Sequence, residues 1–194
     1  MAGESRSKSS ARPSAPPGAR AFPVLVPQGA LQGQPDVPLN RPVTTVGSNE
    51  NARLHLVSRT VSKGHAVFVN NGPGTYVADL ASRTGVLLNG KLVKDAELKS
   101  GDRVQIGKFV FKYRAATNAP ATPPPQPRPA AVILVGKPAI PVTSKVVQIG
   151  RRETSDLSLP AAAAVSASQA VIFQMDGSWY IRALDSRTGT TVNG

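Results

Sequence analysis

Short apolar runs of strand length, separated by turns bearing Gly and Pro, set the pattern of this chain. RPVTTVG (41–47) and SKVVQIG (144–150) are rich in Val, Ile and Thr, and each ends in Gly. HAVFV (65–69), GTYVADL (74–80), RVQIG (103–107) and FVFKY (109–113) alternate or run apolar over the length of a strand. NNGPG (70–74), KSGD (99–102) and MDGS (175–178) read as turns. No segment sustains a 3.6-residue period. PAAAAVSASQA (160–170) is rich in Ala but is short, Pro-led and aligned with a loop elsewhere in the chain. The pattern predicts an all-β protein built of antiparallel β-sandwiches.

The pattern also repeats. Gly47 corresponds to Gly150, and Leu54 and Leu56 correspond to Leu157 and Leu159. After a one-residue step, accommodated in the loop 160–164, Val61-Ser62 corresponds to Val165-Ser166 and HAVFV to QAVIF (169–173). Ser82-Arg83-Thr84-Gly85 then matches Ser186-Arg187-Thr188-Gly189, and Asn89-Gly90 matches Asn193-Gly194. Anchors that hold register this closely indicate duplication. The expected organisation is a basic tail at 1–20, a first domain at 21–115, a Pro-rich linker at 116–130 and a second domain at 131–194. The linker reads as a semi-rigid spacer. Its Pro124–Pro127 string offers an SH3-type ligand as the alternative, and Thr122-Pro123 is a candidate phosphosite.

The first copy continues through residues 91–114, whose counterpart in the second would lie past Gly194, so the second domain is expected to lack its C-terminal hairpin. Three readings compete. The sequence is a piece of a longer protein, which is the favoured one; or a homo-oligomer completes the sheet with a strand from another chain; or the second unit is a half-domain resting on the first.

Composition narrows the chemistry. The chain of 194 residues has no Cys and two His, His55 and His65, which removes disulfides, Cys-based metal sites and zinc clusters; no cofactor or metal is expected. No apolar run reaches membrane-span length and no secretory signal is recognisable, so a cytoplasmic protein without membrane contact is expected. The net charge of +12, from 23 basic and 11 acidic residues, suits an acidic partner. The basic residues are scattered, and five Phe, three Tyr and one Trp leave little for base stacking, which argues against nucleic acid.

Taken in order, a strand ending in Gly-Arg, V-S-x-x-H/Q-A, S-R-T-G, N-G and a late G-D-x-V-x-I-G resemble the motifs of the forkhead-associated (FHA) domain, present twice. The resemblance covers about residues 22–114 and 131–194. It implies an 11-stranded β-sandwich per complete copy, no enzymatic activity, and a phosphothreonine-containing protein or peptide as partner, in kinase-linked signalling. Such a ligand carries about −1.5 to −2 charges and three acceptor oxygens, so it needs cations and small donors held on loops over a rigid scaffold.

Carried over by position, the phosphopeptide-binding residues of the second copy are Arg151, Ser166, Arg187 and Thr188, and those of the first are Ser62, Lys63, Arg83 and Thr84. The copies depart from the pattern differently. Ser48 stands where the first copy would have the arginine, Ala167 where the second would have a basic residue, and Gln169 in place of the histidine that His65 keeps. In the family that histidine mainly braces the loop. Thr84 and Thr188 replace the asparagine that holds the peptide backbone, and a hydroxyl lacks the paired donor and acceptor of an amide.

Plainer roles stand beside these. Arg151 is followed by Arg152 and Glu153, and a solvated turn charge is the alternative to binding there. Ser62 and Ser166 suit loop capping, and Arg83 and Arg187 suit packing against the Asn-Gly turn. Ser62, His65 and Asp79 invite a hydrolase reading, but no G-x-S-x-G elbow is present. A phosphate-independent assembly module is the alternative function.

Overall fold

The structure is a computed structural model that describes residues 22–72, 74–116, 130–132, 140–142, 146–160, 162, 164–175, 178–184 and 188–191. The N-terminal tail, Thr122-Pro123, the Pro124–Pro127 string, Arg187 and the closing Asn193-Gly194 lie outside these residues.

The first unit is formed by β1 (Val24–Gln28), β2 (Val37–Pro38), β3 (Val43–Gly47), β4 (Leu54–His55), β5 (Ala66–Asn70), β6 (Thr75–Asp79), β7 (Val86–Leu88), β8 (Lys91–Val93), β9 (Asp95–Glu97), β10 (Arg103–Ile106) and β11 (Phe109–Arg114). They form two sheets, ordered β2-β1-β11-β10-β7-β8 and β4-β3-β5-β6-β9. The apolar runs noted in the sequence form β3, β5, β6, β10 and β11. Strands β7 to β9 are made from VLL, KLV and DAE, too short and too mixed in polarity to stand out. Asn89 and Gly90 join β7 to β8 with φ of 51° and 84°, the paired positive values of a tight hairpin turn.

Alternation sets the core. In β11, Phe109, Phe111 and Tyr113 point inward while Lys112 and Arg114 face out. Leu25, Val46, Phe68, Val77, Val86, Val104, Ile106 and Phe111 meet between the sheets with essentially no exposure. Tyr113 donates its hydroxyl to Thr75 Oγ1 at 2.9 Å, which satisfies a phenol inside the core; burial raises its pKa above the ordinary 10.0.

The second unit repeats half of this plan. β14 (Val146–Gly150), β15 (Leu157–Ser158), β16 (Ala170–Met175) and β17 (Ser178–Ala183) form a sheet ordered β15-β14-β16-β17, matching β4-β3-β5-β6. Even the one parallel pair in each set recurs in register: Val46 opposite Leu54, and Ile149 opposite Leu157. A two-stranded ribbon, β12 (Ala130–Val132) with β13 (Ile140–Val142), precedes it. The stretch 160–170 contains no helix among its described residues and stays a loop up to Ala170.

How this second sheet is covered departs from an ordinary sandwich. An antiparallel sheet usually leaves one face to water. In β5, however, Ala66 and Phe68 face the core while Val67 and Val69 on the opposite face are also buried. They are covered by Val146, Val171 and Phe173, which with Ala78 and Leu80 form a second apolar cluster. By register, Val171 matches Val67 and Phe173 matches Val69. The second sheet therefore docks through the face equivalent to the outer face of the first. Its other face, the counterpart of the first unit's core side, carries Ile181 at 40 % exposure, whereas the matching Val77 is fully buried. Lys94 Nζ to Asp156 Oδ1, at 2.5 Å, adds an ion pair across the contact.

Candidate functional site

Three loops at one end of the first sandwich build the site. The loop after β3 begins at Gly47-Ser48, the loop before β5 carries Ser62-Lys63, and the loop after β6 carries Ser82-Arg83-Thr84-Gly85. Their hydrogen bonds explain the recurring residue types. Asp79 accepts from Ser82 through both carboxylate oxygens, Oδ2 from the backbone N–H at 3.0 Å and Oδ1 from the hydroxyl at 2.5 Å. Ser82 Oγ then accepts from Gly85 N at 2.9 Å, closing a tight turn in which Gly85 adopts φ +72°.

His65 lies at the base of these loops and is fully buried. Its Nδ1 accepts from Ser62 N at 3.0 Å, so Nε2 carries the proton and donates to Gly85 O at 3.0 Å. Ser62 Oγ in turn accepts from Arg83 N at 3.0 Å. Two loops are thus tied twice, once below by the imidazole and once above by the hydroxyl. The side chains of Lys63 and Arg83 are left exposed on the rim.

The second unit rebuilds this brace with another side chain. Gln169 Oε1 accepts from Ser166 N at 2.9 Å, and Gln169 Nε2 donates to Gly189 O. The amide oxygen takes the place of Nδ1 and the amide N–H that of Nε2–H. The exchange of His for Gln therefore preserves the loop, consistent with a bracing role. His65→Gln is accordingly expected to cost no more than about 1 kcal/mol in denaturant unfolding; a larger loss would show that the imidazole does more than hold two backbone groups.

Thr84 Oγ1 donates to Thr60 O at 3.0 Å, and Thr188 Oγ1 to Ala164 O at 3.2 Å. In both units this hydroxyl proton is committed to the loop, which leaves the oxygen as an acceptor. Backbone contacts recur as well: Ser48 N to Ser62 O at 2.9 Å, and Arg151 N to Ser166 O at 3.0 Å.

The two sets of loops open onto one cleft of about 730 Å³. Ser62, Lys63 and Arg83 line it from the first unit, and Arg152, Ser166 and Arg182 from the second; among the described residues no Asp or Glu lines it. Arg151, chosen from the sequence, is exposed and is not among the lining residues; its neighbour Arg152 is, donating through Nη1 to Leu80 O at 3.4 Å and Ala81 O at 2.5 Å. Arg182 was missed by sequence reasoning, although a signal existed. It occupies the strand position at which the first copy has the small apolar Ala78. Asn49 and Asn51, also on the cleft, carry no comparable signal. Groups of three or more His, Cys, Asp or Glu able to hold a metal are absent among the described residues. No described helix is long and apolar enough to cross a membrane.

Comparison with a family model agrees with this architecture. The FHA domain model matches residues 44–107 and 147–194. The glycogen accumulation regulator GarA of Mycolicibacterium smegmatis is 39% identical over 71 residues, covering 37% of this chain and 45% of that protein. The oxoglutarate dehydrogenase inhibitor of Corynebacterium diphtheriae is likewise 39% identical over 71 residues, covering 37% of this chain and 50% of that protein. The chain thus spans about half the length of these relatives. Among solved structures, Mycobacterium tuberculosis EmbR in complex with a low affinity phosphopeptide aligns at TM-score 0.47 and 25% identity, over 50% of this chain and 25% of that one. Two family matches, in register with two sets of loops braced from the same position of the repeat, lead to one statement: the chain belongs to the FHA domain family and carries the domain twice.

Proposed function

We propose that the protein is a phosphothreonine-peptide-binding adaptor of kinase-linked signalling, a binding protein rather than an enzyme, working in the cytoplasm. One observation carries the reading. The Ser62 hydroxyl accepts the Arg83 backbone N–H, so a phosphate reaching that serine meets Lys63 and Arg83 on a cleft lined by no carboxylate among the described residues. Charge-assisted bonds from such cations are the strong ones available for phosphate. In this reading Ser62, Lys63, Arg83 and Thr84 form the first site, and Arg151, Ser166, Arg187 and Thr188 belong to the second. Residues 21–115 and 131–194 are the two domains, joined by 116–130 and preceded by the tail. No nucleic acid or membrane ligand is assigned.

Titration of the full chain with a phosphothreonine peptide library and unphosphorylated controls tests it. Phosphorylated peptides alone should bind. Arg83→Ala should weaken them roughly tenfold, since it removes the guanidinium while keeping the backbone N–H to Ser62. Equal binding of both peptide forms would refute the reading. It would favour the second one, a phosphate-independent assembly module, for which the missing cations at Ser48 and Ala167 and the docked sheets speak. Concentration-dependent association of the chain without phosphate would mark that outcome, and it is where a homo-oligomer belongs.

A further inference from the structure

We propose that the cleft between the units is one composite site, and that its ligand is a peptide bearing two phosphothreonines, bound by both units together. This rests on the phosphothreonine reading above and adds the class of ligand. The first argument is charge. Lys63 and Arg83 enter the cleft from the first unit, and Arg152 and Arg182 from the second, with no acidic residue among the described lining residues. One phosphothreonine brings about −1.5 to −2 charges, so it balances two of these four cations and a second is needed for the others.

The second argument is distribution. Each pair of cations has its own hydroxyl on the cleft, Ser62 in the first unit and Ser166 in the second, and each of these serines sits on the braced loop of its unit. The cleft thus contains the elements of a phosphate subsite twice. Its volume of about 730 Å³ lies in the range of sites that enclose an entire ligand and far exceeds a phosphate group. Leu80, Ala81, Ala183 and Leu184 supply apolar wall against which the peptide's carbon skeleton can lie.

The third argument is preorganisation. The halves are held by the apolar cluster around Val67 and Val171, by the Arg152 bonds to Leu80 and Ala81, and by the Lys94–Asp156 ion pair. Ordering the two units around the ligand is therefore largely done before it arrives. Binding of the second phosphate then occurs at a high effective concentration.

The test is calorimetry on the full chain with one peptide sequence in three forms, carrying no, one or two phosphothreonines, the last in a series of spacings. At the best spacing the doubly phosphorylated form should bind at least roughly tenfold tighter than the singly phosphorylated one, at one peptide per chain. Arg182→Ala, an exposed strand position, should erase most of that gain, bringing the doubly phosphorylated peptide to within about twofold of the singly phosphorylated one. Unchanged emission of the neighbouring Trp179 will show that the second sheet is intact. Equal affinity for one and two phosphates at every spacing, or two doubly phosphorylated peptides per chain, would overturn the composite site while leaving the phosphothreonine reading standing. Failure of all phosphopeptides would remove both. A single-stranded RNA of similar charge binding as tightly would assign the cleft to anionic polymers instead.

Discussion

Gly47→Ala should lower the unfolding midpoint of the first unit by more than about 10 °C and abolish its phosphopeptide binding. A Cβ at this position would lie 1.8 Å from Lys63 O and 2.7 Å from Lys63 C, both backbone atoms that cannot rotate aside. Gly47 is buried at the end of β3, where its carbonyl accepts from Leu56 N at 2.9 Å. To admit a methyl group, the Ser62–Lys63 loop must lift, breaking the bonds from Ser48 N to Ser62 O and from Asn49 N to Lys63 O. Overpacking against fixed backbone, with these bonds lost, should cost roughly 3 kcal/mol or more. The same movement withdraws the Ser62 hydroxyl, the group proposed above to meet phosphate. Gly90→Ala is the control. Its φ of +84° makes Ala uncomfortable, but nothing lies within 4 Å of the new Cβ, so about 1 kcal/mol is expected. Thermal unfolding followed by circular dichroism separates the two; equal losses would mean that backbone conformation, not the space under Lys63, makes Gly47 necessary.

Val171→Asp is expected to undock the second sheet. Val171 is fully buried between Val67, Val69, Ala78 and Leu80 on one side and its own sheet on the other. A carboxylate there loses the apolar contact, and Arg182, opposite it in the ladder, offsets only part of the burial of its charge, a penalty of roughly 3 kcal/mol. The only tryptophan, Trp179, lies in β17, so its emission reports on the second unit alone. It should shift to the red in Val171→Asp while the first unit keeps its own cooperative transition. Ile181→Asp tests which face docks. In an ordinary sandwich this residue, the counterpart of Val77, would be core, yet here it is 40 % exposed and the change should cost less than about 1 kcal/mol. If Ile181→Asp proved as disruptive as Val171→Asp, docking through the outer face would be wrong.

Local features of the fold were legible because local chemistry dictates them. Val- and Thr-rich runs ending in Gly gave β3 and β14, and Asn89-Gly90 announced a positive-φ turn. The loop brace was half visible. The sequence showed that His65 and Gln169 stand at one position, and an amide supplies an acceptor and a donor as a neutral imidazole does. What stayed hidden depends on long-range packing. In HAVFV and QAVIF apolar residues occupy both faces, a run that fits a strand covered twice but does not say by what. Arg152 rather than Arg151 reaches the cleft because the second sheet docks by its outer face, and adjacent residues in a turn carry no mark of that choice.

The docking contact also has a form of its own. Val43 and Val146, Val67 and Val171, Val69 and Phe173, and Leu80 and Leu184 all belong to it, and each pair is one position of the repeat seen twice. A patch that meets its own copy is the arrangement of twofold dimers, folded here into a single polypeptide. Two chains brought together can satisfy the same contact by exchanging second units. The internal pairing prevails only while its tethered concentration, on the order of millimolar for a short connection, exceeds that of free chains.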